Sequence, residues 1–463
     1  MRRIGVDVGG TNTDAVLLED GAVIHAVKTP TSPDVTTGIV TAIDELSRCL
    51  GITSGVIDAV VIGTTHFVNA VVQRRELARV AAVRIGLPAA ASLPPFCDWP
   101  LDLAERVRGG VFMLEGGHDY DGRPIVPFDE AGMRRIAQQI CESGIHAVAV
   151  AAIFSPLDPS GEERARAILA EECPDATVTA SHQLARIGLL ERENAALLNA
   201  ALIDVAKATV AGFTAAIEAS GIAAPLYLTQ NDGTVMPAAM AAALPVLSFA
   251  SGATNSMRGA AFLSGLADAM VIDVGGTSTD VGQLRNGFPR EANSVVEIGG
   301  VRTLFRMPDL LSIGLGGGSL VQADPLAVGP ESVGYRLIDE SRVFGGDTVT
   351  ATDIAVAAGL ARDRRWPCCR RPISRSRASG ARQDACDDRG SGRSDEDRRP
   401  RSTAYRGRRR CLSRARPARR NLAGDPCAAR RLRQCRRCRD RADQRRNRPD
   451  LSRSRPRGGD RGG

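Results

Sequence analysis

Two segments of this 463-residue chain share one eight-residue pattern made of the residue types that bind phosphate. The pattern reads DVGGTNTD at 7–14 and DVGGTSTD at 273–280, so the two copies differ at one position. Paired glycines let backbone amides approach an anion without a Cβ in between, and threonine hydroxyls add further donors. The flanking aspartates can hold a divalent cation through water. Two copies therefore predict two similar half-domains that face each other across a nucleotide.

Apolar residues on both sides place each copy in the turn of a β-hairpin. Residues 4–6 and 270–272 precede the pattern, and residues 15–18 and 281–284 follow it. Short apolar runs separated by glycine-rich turns are typical of paired strands. For one copy, a tight turn that uses Gly and Asp as ordinary turn residues is the alternative. The repetition favours phosphate binding.

Two further polar segments are candidates for chemistry. Thr64, Thr65 and His66, with Asn69, lie at a predicted strand–helix junction, where helix N-terminal amides favour an anion. The alternative is a threonine cap and a histidine on a helix face. Asp232, in the turn QNDG, can orient a water molecule or form an Asx-turn.

A glycine cluster at 314–318 follows the second copy of the pattern. Ser319 stands where the sequence GxGxxG requires a glycine, and the chain contains no Walker GxxxxGK[ST] motif. The cluster is therefore either a nucleotide-contacting loop outside those two classes or a flexible turn.

Charge divides the chain near residue 362. The formal net charge of +7 comes from 60 Lys+Arg and 53 Asp+Glu. Residues 1–362 carry 26 basic and 41 acidic side chains, a net of −15, whereas residues 363–463 carry 34 and 12, a net of +22. The second segment contains five Ile, Leu, Val, Phe or Met residues, too few to bury a core against chain entropy. We predict that residues 363–463 form a disordered, Arg-rich tail.

Three interpretations of this tail compete. An arginine-rich arm would bind nucleic acid through counterion release. Cys435 and Cys438 have the spacing of a zinc-binding pair, but no second pair follows and no histidine occurs after His182. Out-of-frame reading of GC-rich DNA would also yield Arg, Ser, Pro, Ala, Gly and Cys, and the use of 58 Arg against two Lys indicates such coding. Because periodicity is lost abruptly after residue 362, we favour a frameshift and do not expect nucleic-acid binding.

Residues 1–362 predict an acidic α/β body. Residues 3–29 form a three-stranded meander, and strands then alternate with helices up to residue 172, which is typical of a mixed or parallel sheet. Residues 189–220 form one long helical pattern that could bridge two lobes. Scattered cysteines suit a reducing cytosol, no signal peptide precedes the first strand, and no apolar run reaches the ~18 residues of a membrane span. We therefore predict a cytoplasmic protein without membrane contact.

Five stretches of this body resemble the hydantoinase A/5-oxoprolinase family, within the superfamily of actin, sugar kinases and heat-shock chaperone ATPases. They read IGVDVGGTNTDAVLL, GTTHFVNAVV, LTQNDGTVM, FASGATNSMRGA running on to VIDVGGTSTDVG, and SIGLGGGSLV with VGPESVGY. The resemblance implies an α/β fold of two actin-like (ribonuclease H-like) ATPase lobes around a cleft. It places an N-terminal domain with the first phosphate loop at 1–185 and a second domain with the second loop at 186–362. It also implies an ATP- and Mg²⁺-dependent hydrolase that opens a five-membered cyclic amide such as a hydantoin or 5-oxoproline.

The resemblance further implies roles for individual residues. Asp7 and Asp273 would be catalytic and bind Mg²⁺, Asp14 and Asp280 would support the turns, and Asp232 would orient the nucleophile. The implied ATP-binding residues are Gly9, Gly10, Thr11, Thr13, Gly275, Gly276, Thr277, Thr279, Gly316, Gly317 and Gly318. The implied substrate-binding residues are Thr64, Thr65, His66 and Asn69.

One departure from the family pattern limits this function. The family has a further glycine-rich, adenosine-binding segment after the second phosphate loop, and no such segment appears beyond residue 360. We therefore predict an incomplete second lobe and weak or absent activity. The alternative functions are a small-molecule kinase of the same superfamily and a non-catalytic ATPase subunit or regulator. Family members often pair with a second subunit, so a protein partner is also expected.

Overall fold

The computed structural model describes residues 1–9, 12–30, 35–50, 57–292 and 295–360. Gly10, Thr11 and the Arg-rich tail lie outside these ranges, so the predictions that rest on them remain predictions.

The described residues form short strands and helices in alternating blocks. The strands are β1 Arg2–Val8, β2 Asn12–Glu19, β3 Ala22–Pro30, β4 Ala59–Thr64, β5 Val80–Leu87, β6 Arg108–Glu115, β7 Ala147–Ala152, β8 Thr177–Ala180, β9 Leu226–Thr229, β10 Val235–Pro237, β11 Ala269–Val274, β12 Thr279–Arg285, β13 Phe288–Pro289, β14 Val296–Ile298, β15 Val301–Thr303, β16 Leu310–Ile313, β17 Ser319–Ala323 and β18 Leu326–Ser332. The helices are α1 Val35–Leu50, α2 His66–Gln73, α3 Leu101–Val107, α4 Glu130–Glu142, α5 Ser160–Glu172, α6 Leu189–Ala201, α7 Ile203–Ala219, α8 Ala238–Ala243, α9 Ser251–Ser264, α10 Leu337–Glu340 and α11 Ala351–Ala357.

A six-stranded mixed sheet carries the first hairpin. Its strand order is β10-β9-β4-β1-β2-β3, in which β1, β2 and β3 are antiparallel and β4 and β9 run parallel to β1. Side chains alternate along β1, and Ile4, Val6 and Val8 are buried in one core with Ile39 and Ile43 of α1. The three-stranded meander followed by parallel strands is the topology expected of a ribonuclease H-like lobe.

An α/β layer is inserted between β4 and β9. Four parallel strands in the order β6-β5-β7-β8 form its sheet, as the alternation of strands and helices predicts. Helices α4 and α5 share an apolar core with one face of this sheet, and α6 packs against β7 and β8. All six residues of β7 are buried, which is usual for a parallel strand covered on both faces.

The predicted single helix over 189–220 is wrong, because two helices meet there at an angle of 53°. At the break, the carbonyl of Ala201 accepts a hydrogen bond from the amide of Ala78 at 2.8 Å instead of continuing the helical ladder. The side chain of Asn199 donates to the carbonyl of Ala243 at 2.9 Å. Contacts with distant segments therefore interrupt a helix that its own periodicity would continue.

The second lobe contains the second hairpin and is smaller than the first. Strand β12 pairs with β11 on one side and with β13 and β16 on the other. Helix α9 covers one face of this sheet: the side chain of Met257 lies over Gly282, and the guanidinium of Arg258 lies 3.8 Å from the ring centre of Phe288. Among the residues that the structure describes, no strand pairs with the other edge of β11. The incomplete second lobe that the sequence predicts therefore stays a prediction, because residues 361–463 lie outside the described ranges.

The first sheet includes strands from both sides of residue 186, and the domain boundary predicted there stays a prediction. Strands β9 and β10 follow residue 186 but belong to the first sheet, and the chain passes to the second sheet through α9. In the described part of the chain, no single helix is long and apolar enough to cross a membrane; α6 and α7 meet that criterion only as a bent pair, by length and composition.

Candidate functional site

The two copies of the pattern form hairpins with the same register. Asp7 pairs with Asp14 in the first, and Asp273 pairs with Asp280 in the second. The same hydrogen bond closes both turns: the amide of Gly9 donates to the carbonyl of Asn12 at 3.1 Å, and the amide of Gly275 donates to that of Ser278 at 2.9 Å. The predicted pair of equivalent hairpins is confirmed.

Both turns leave little room for a side chain at their first position. A Cβ built on Gly9 would lie 3.1 Å from the carbonyl oxygen of Asn12, and one built on Gly275 would lie 3.1 Å from that of Ser278. A side chain at either position would press on the oxygen that closes the turn. The glycines therefore keep each turn tight enough for its backbone to meet a ligand.

Three predicted segments lie at one edge of the first sheet. Strands β1, β4 and β9 are parallel, so Gly9, Thr64 and Gln230 follow their carboxyl ends at the same side. Ligands of open α/β sheets bind at such carboxyl edges. Neighbouring strands are about 4.8 Å apart, which places the loop after β9 roughly 10 Å from the first turn.

Helix α9 holds this edge together, and the residue assignments from sequence did not include it. Ser251 Oγ donates to the carbonyl of Thr64 at 2.7 Å and accepts from the amide of Thr64 at 3.1 Å. The hydroxyl of Thr254 donates to the carbonyl of Gln230 at 3.2 Å. The side chain of Asn255 occupies the space where Gly63 has no Cβ. The signal was present in the sequence, since FASGATNSMRGA is one of the five stretches that resemble the family.

The predicted substrate residues surround the start of α2. Thr64 is buried, and its hydroxyl accepts from the amide of His66, the first residue of α2, at 3.1 Å. Asn69 Nδ2 donates to the hydroxyl of Thr65 at 3.2 Å. Thr65, His66 and Asn69 retain solvent exposure at the carboxyl edge. Thr64 thus has a structural role, and the other three side chains are placed where a ligand could reach them.

Asp232 lies in a cavity of about 430 Å³ between the loop after β9 and two neighbouring segments. Its Oδ1 accepts from the amide of Thr234 at 2.9 Å and from its hydroxyl at 2.6 Å, which is the Asx-turn that the sequence allowed. Oδ2 lies 3.7 Å from the guanidinium of Arg306. His182 and Arg186 line the same cavity, which therefore carries both charge signs.

The glycine cluster supports the second hairpin turn. The amides of Gly317 and Gly318 donate to the carbonyls of Gly275 and Gly276 at 3.0 and 2.7 Å. A Cβ on Gly316 would lie 2.6 Å from backbone atoms of that turn, so only glycine allows this contact. The glycine cluster therefore lies against the second copy of the pattern, and the amides of Gly317 and Gly318 donate to backbone carbonyls of that turn.

The second threonine of each pattern, Thr13 in the first and Thr279 in the second, is buried. Thr13 is buried beside β3, and the hydroxyl of Thr279 donates to the carbonyl of Leu315. Gly275 and Thr277 are exposed in the second turn, and Gly276 is half-buried. Among the predicted phosphate-binding residues of the second hairpin, Gly275, Gly276 and Thr277 are therefore accessible to a ligand, whereas Thr279 is not.

The equivalent carboxylates have different partners. Asp14 lies 3.1 Å from the ammonium of Lys28, whereas Asp280 accepts from the hydroxyl of Ser312. Burial raises the pKa of Asp280, and the nearby charge of Asp273 raises it further against the effect of Ser312. Asp273 and Asp280 therefore place negative charge close together at the second turn, and a bound cation would reduce the repulsion between them.

No group of three or more His, Cys, Asp or Glu side chains in the described residues is placed to hold a metal by itself. Mg²⁺ in nucleotide sites is usually bound through one or two carboxylates together with substrate phosphates and water. Asp7 and Asp273, one from each turn, stay the predicted Mg²⁺ ligands.

Comparison with known proteins identifies the family. The model of the hydantoinase/oxoprolinase N-terminal region matches residues 3–173, and the hydantoinase/oxoprolinase model matches residues 192–384. The chain belongs to the hydantoinase/oxoprolinase family. The second match extends 22 residues beyond the predicted break at residue 362, so the position of that break remains a prediction.

Relatives with known names include two enzyme subunits. Caprolactamase subunit alpha of Pseudomonas jessenii is 26% identical in an alignment of 401 positions that covers 78% of this chain and 55% of that protein. Acetophenone carboxylase gamma subunit of Aromatoleum aromaticum is 26% identical in an alignment of 413 positions that covers 82% of this chain and 56% of that protein. This member of the hydantoinase/oxoprolinase family thus spans about half the length of these relatives.

Solved structures confirm the predicted fold class. The crystal structure of the ATP-dependent caprolactamase from Pseudomonas jessenii matches with a TM-score of 0.62 at 25% identity, over 78% of this chain and 55% of that one. A nucleotide-free structure of acetone carboxylase, from work on ATP-dependent acetone carboxylation, matches with a TM-score of 0.61 at 21% identity, over 78% and 56%.

Proposed function

We propose that this chain binds ATP and Mg²⁺ between its two hairpin turns and takes part in the ATP-dependent opening of a cyclic amide. The observation that carries the proposal is the shared register and shared closing hydrogen bond of the two hairpins. A pair of equivalent turns suits a polyphosphate, because each can direct backbone amides at it. The relationship to an ATP-dependent caprolactamase supports ATP as the nucleotide and an amide as the substrate.

A cyclic amide needs activation because its carbonyl is a poor electrophile. Transfer of the γ-phosphoryl group of ATP to the amide oxygen, with release of ADP, would activate the carbon. Attack of one water molecule would then break the ring C–N bond and leave an acyl phosphate, which a second water molecule would hydrolyse to the open-chain acid and phosphate. The chain's own contribution to such a reaction is to position phosphates and neutralise charge. Gly9 and Gly275 shape the two turns, and Asp7 and Asp273 would hold Mg²⁺.

The ring substrate would lie at the carboxyl edge of the first sheet. Asn69 is exposed there, Thr65 and His66 are half-buried, and Asp232 lies on the next strand's loop in the 430 Å³ cavity. The Asx-turn and the guanidinium of Arg306 keep Asp232 in position. We assign to Asp232 the orientation of the attacking water.

Nucleotide binding by the full chain tests the first half of this proposal. We expect Mg²⁺-dependent ATP binding that weakens at least ~10-fold in Gly275→Val, because the new side chain would press on the oxygen that closes the turn. Gly259→Ala on α9 is the matched control, since a Cβ there meets no atom within 4 Å. Folded protein that binds no ATP at millimolar concentration would contradict the proposal.

Substrate-dependent phosphate release tests the second half. The full chain is incubated with ATP, Mg²⁺ and hydantoin, 5-oxoproline or caprolactam, and both ring opening and ADP formation are measured. Phosphorylation of a hydroxyl compound without ring opening would favour a kinase instead. ATP-dependent turnover of a ketone would favour the carboxylase relatives. ATP binding without any such turnover would favour a subunit that acts beside a partner, as the names of several relatives suggest.

A further inference from the structure

Two cysteines lie at the ends of neighbouring helices in the inserted layer. Cys141 is in the last turn of α4, and Cys173 directly follows α5. Cys141 is exposed and Cys173 is 4% exposed, and both are free thiols. The proposed reaction at the hairpin turns and the cavity of Asp232 uses neither of them.

Hydrogen bonds between α4 and α5 show which positions face each other. A guanidinium nitrogen of Arg134 donates to Glu172 Oε1 at 2.7 Å, and Gln138 Nε2 donates to Glu172 Oε2 at 3.1 Å. Positions 134, 138 and 141 have the i, i+4, i+7 spacing of one helix face. Cys141 therefore lies on the side of α4 that faces the end of α5, where Cys173 follows Glu172.

The two helices run side by side in the same direction. Arg164 pairs with Glu130 near the start of both helices, whereas Glu172 is bound to α4 near their ends. Packed helix axes are about 8–10 Å apart, and Cα atoms lie about 2.3 Å from each axis. Facing Cα atoms of such a pair can therefore have the separation of roughly 4.4–6.8 Å that a disulfide requires.

The side chains of Cys141 and Cys173 act on each other. Burial raises the pKa of Cys173, and its interaction with the side chain of Cys141 raises the pKa further. The buried thiol therefore keeps its proton at neutral pH while the exposed thiol is accessible to reagents in solution. An accessible thiol next to a second thiol is the arrangement in which oxidation of the first is followed by attack of the second.

We propose that Cys141 and Cys173 form a reversible disulfide when hydrogen peroxide reacts with the chain. The sulfur of Cys141 attacks one peroxide oxygen, the O–O bond breaks, and a sulfenic acid and one water molecule form. The sulfur of Cys173 then attacks the sulfur of Cys141, the S–O bond breaks, and the leaving hydroxide takes the Cys173 proton to form a second water molecule. Two thiols and one peroxide give one disulfide and two water molecules, and a dithiol reduces the disulfide again.

The disulfide would link two helices that cover the same face of the inserted sheet. The chain between the two cysteines contains β7, whose residues are all buried in that sheet. Because the link lies within the inserted layer and includes neither hairpin turn, this proposal does not depend on the proposed function.

Peptide mapping of the full chain tests the proposal. The folded chain is treated with hydrogen peroxide, the remaining thiols are blocked with N-ethylmaleimide, and the chain is digested with trypsin. Cleavage after arginine places Cys141 in residues 136–164 and Cys173 in residues 167–186, each without another cysteine. We expect the linked pair of these peptides to exceed all other oxidised forms of Cys141 at least ~10-fold, because the fold holds the second thiol beside the first.

Single substitutions separate the two steps. Cys141→Ser should abolish the linked pair and leave Cys173 reduced, since Cys173 is buried. Cys173→Ala should leave a sulfenic acid at Cys141, which dimedone traps. Cys97→Ser is the matched control, because Cys97 is also exposed, and the linked pair should form in this variant as it does in the original chain.

Every other outcome overturns the proposal. If peroxide converts Cys141 to a sulfinic acid while Cys173 stays reduced, the two sulfurs do not meet. If Cys141 is linked to a cysteine other than Cys173, or stays reduced while Cys97 is oxidised, the site is not a disulfide pair. If the same fraction of oxidised Cys141 is linked to Cys173 in urea, the fold does not promote the bond.

Discussion

Val6 and Ile272 occupy the same position in two copies of one hairpin, yet Val6 is 3% exposed and Ile272 is 58% exposed. The first is enclosed by α1 and β4, and the second faces away from α9 with no described element above it. Two nearly identical sequences thus have opposite energetic roles, because the free energy of burial depends on neighbours that the hairpin does not contain.

The first prediction follows from this relationship. Val6→Asp would bury an unpaired carboxylate and should lower the free energy of unfolding by about 3 kcal/mol or more, whereas Ile272→Asp should change it by less than about 0.5 kcal/mol. Urea unfolding of each variant, monitored by circular dichroism, compares their free energies of unfolding. Equal losses would show that Ile272 is covered in solution.

Gly316 is predicted to be essential to the second turn. Gly316→Ala would place a Cβ 2.6 Å from backbone atoms of Gly276 and Thr277, and backbone cannot move aside without opening the turn. We expect ATP binding to weaken at least ~10-fold, while Gly259→Ala in α9 leaves it unchanged and adds about 0.5–1 kcal/mol of stability. Calorimetric titration with ATP and thermal unfolding measure the two effects. Unchanged affinity in Gly316→Ala would separate the glycine cluster from the nucleotide site.

A buried ion pair links the inserted sheet to α6. Arg84 Nε donates to Glu193 at 2.7 Å, a second guanidinium nitrogen donates to the other carboxylate oxygen, and both side chains are almost fully buried. Burial raises the pKa of Glu193, and Arg84 opposes that rise. Arg84→Met should therefore cost about 3–5 kcal/mol, and Glu193→Leu in the same chain should restore much of the loss. A double-mutant cycle by urea unfolding measures the coupling, and additive losses would contradict it.

Glu162 should make stability depend on pH. Burial by itself raises the pKa of Glu162, but hydrogen bonds from His182, Ser155 and Ser181 outweigh it, so the pKa lies below the ordinary 4.5. A carboxyl with a lowered folded-state pKa stabilises the protein above its unfolded-state pKa, and that contribution is lost as pH falls through the folded-state pKa.

Glu162→Gln tests this dependence. The variant should lose about 1–3 kcal/mol at neutral pH, and its difference from the original chain should shrink as pH falls below about 4.5. Unfolding curves between about pH 8 and pH 3 provide the comparison. A constant difference over that range would rule out the ionised carboxylate as the source.

Much of the fold could be predicted because its elements have local signals. The hairpins at 7–14 and 273–280 follow from paired glycines between apolar runs, and the predicted alternation of strands and helices up to residue 172 is found in the inserted layer. Helix α11 begins at Ala351 because Thr350 and Asp353 form a capping box, which is a local signal. The family resemblance and the two-lobed fold class also came from motifs in the sequence, and the comparisons confirm both.

Long-range contacts account for what could not be predicted. The helical pattern at 189–220 continues through residue 202, but the carbonyl of Ala201 pairs with Ala78, which is remote in sequence, and the helix bends. The glycines at 316–318 had the composition of a ligand loop, and only their stacking on Gly275 and Gly276 shows that they support the turn. Likewise, α9 connects the edge of the first sheet to the face of the second through Ser251, Asn255 and Met257.

The sequence by itself determined that this chain has two equivalent phosphate-type turns, since turn conformation depends on residues within each hairpin. The tertiary structure decided which faces of those hairpins are enclosed, because burial is set by segments far away in the chain. Val6 and Ile272 could not be distinguished from their local sequences. Among the described residues, their different surroundings distinguish a first hairpin with an enclosed apolar face from a second hairpin whose corresponding face is exposed.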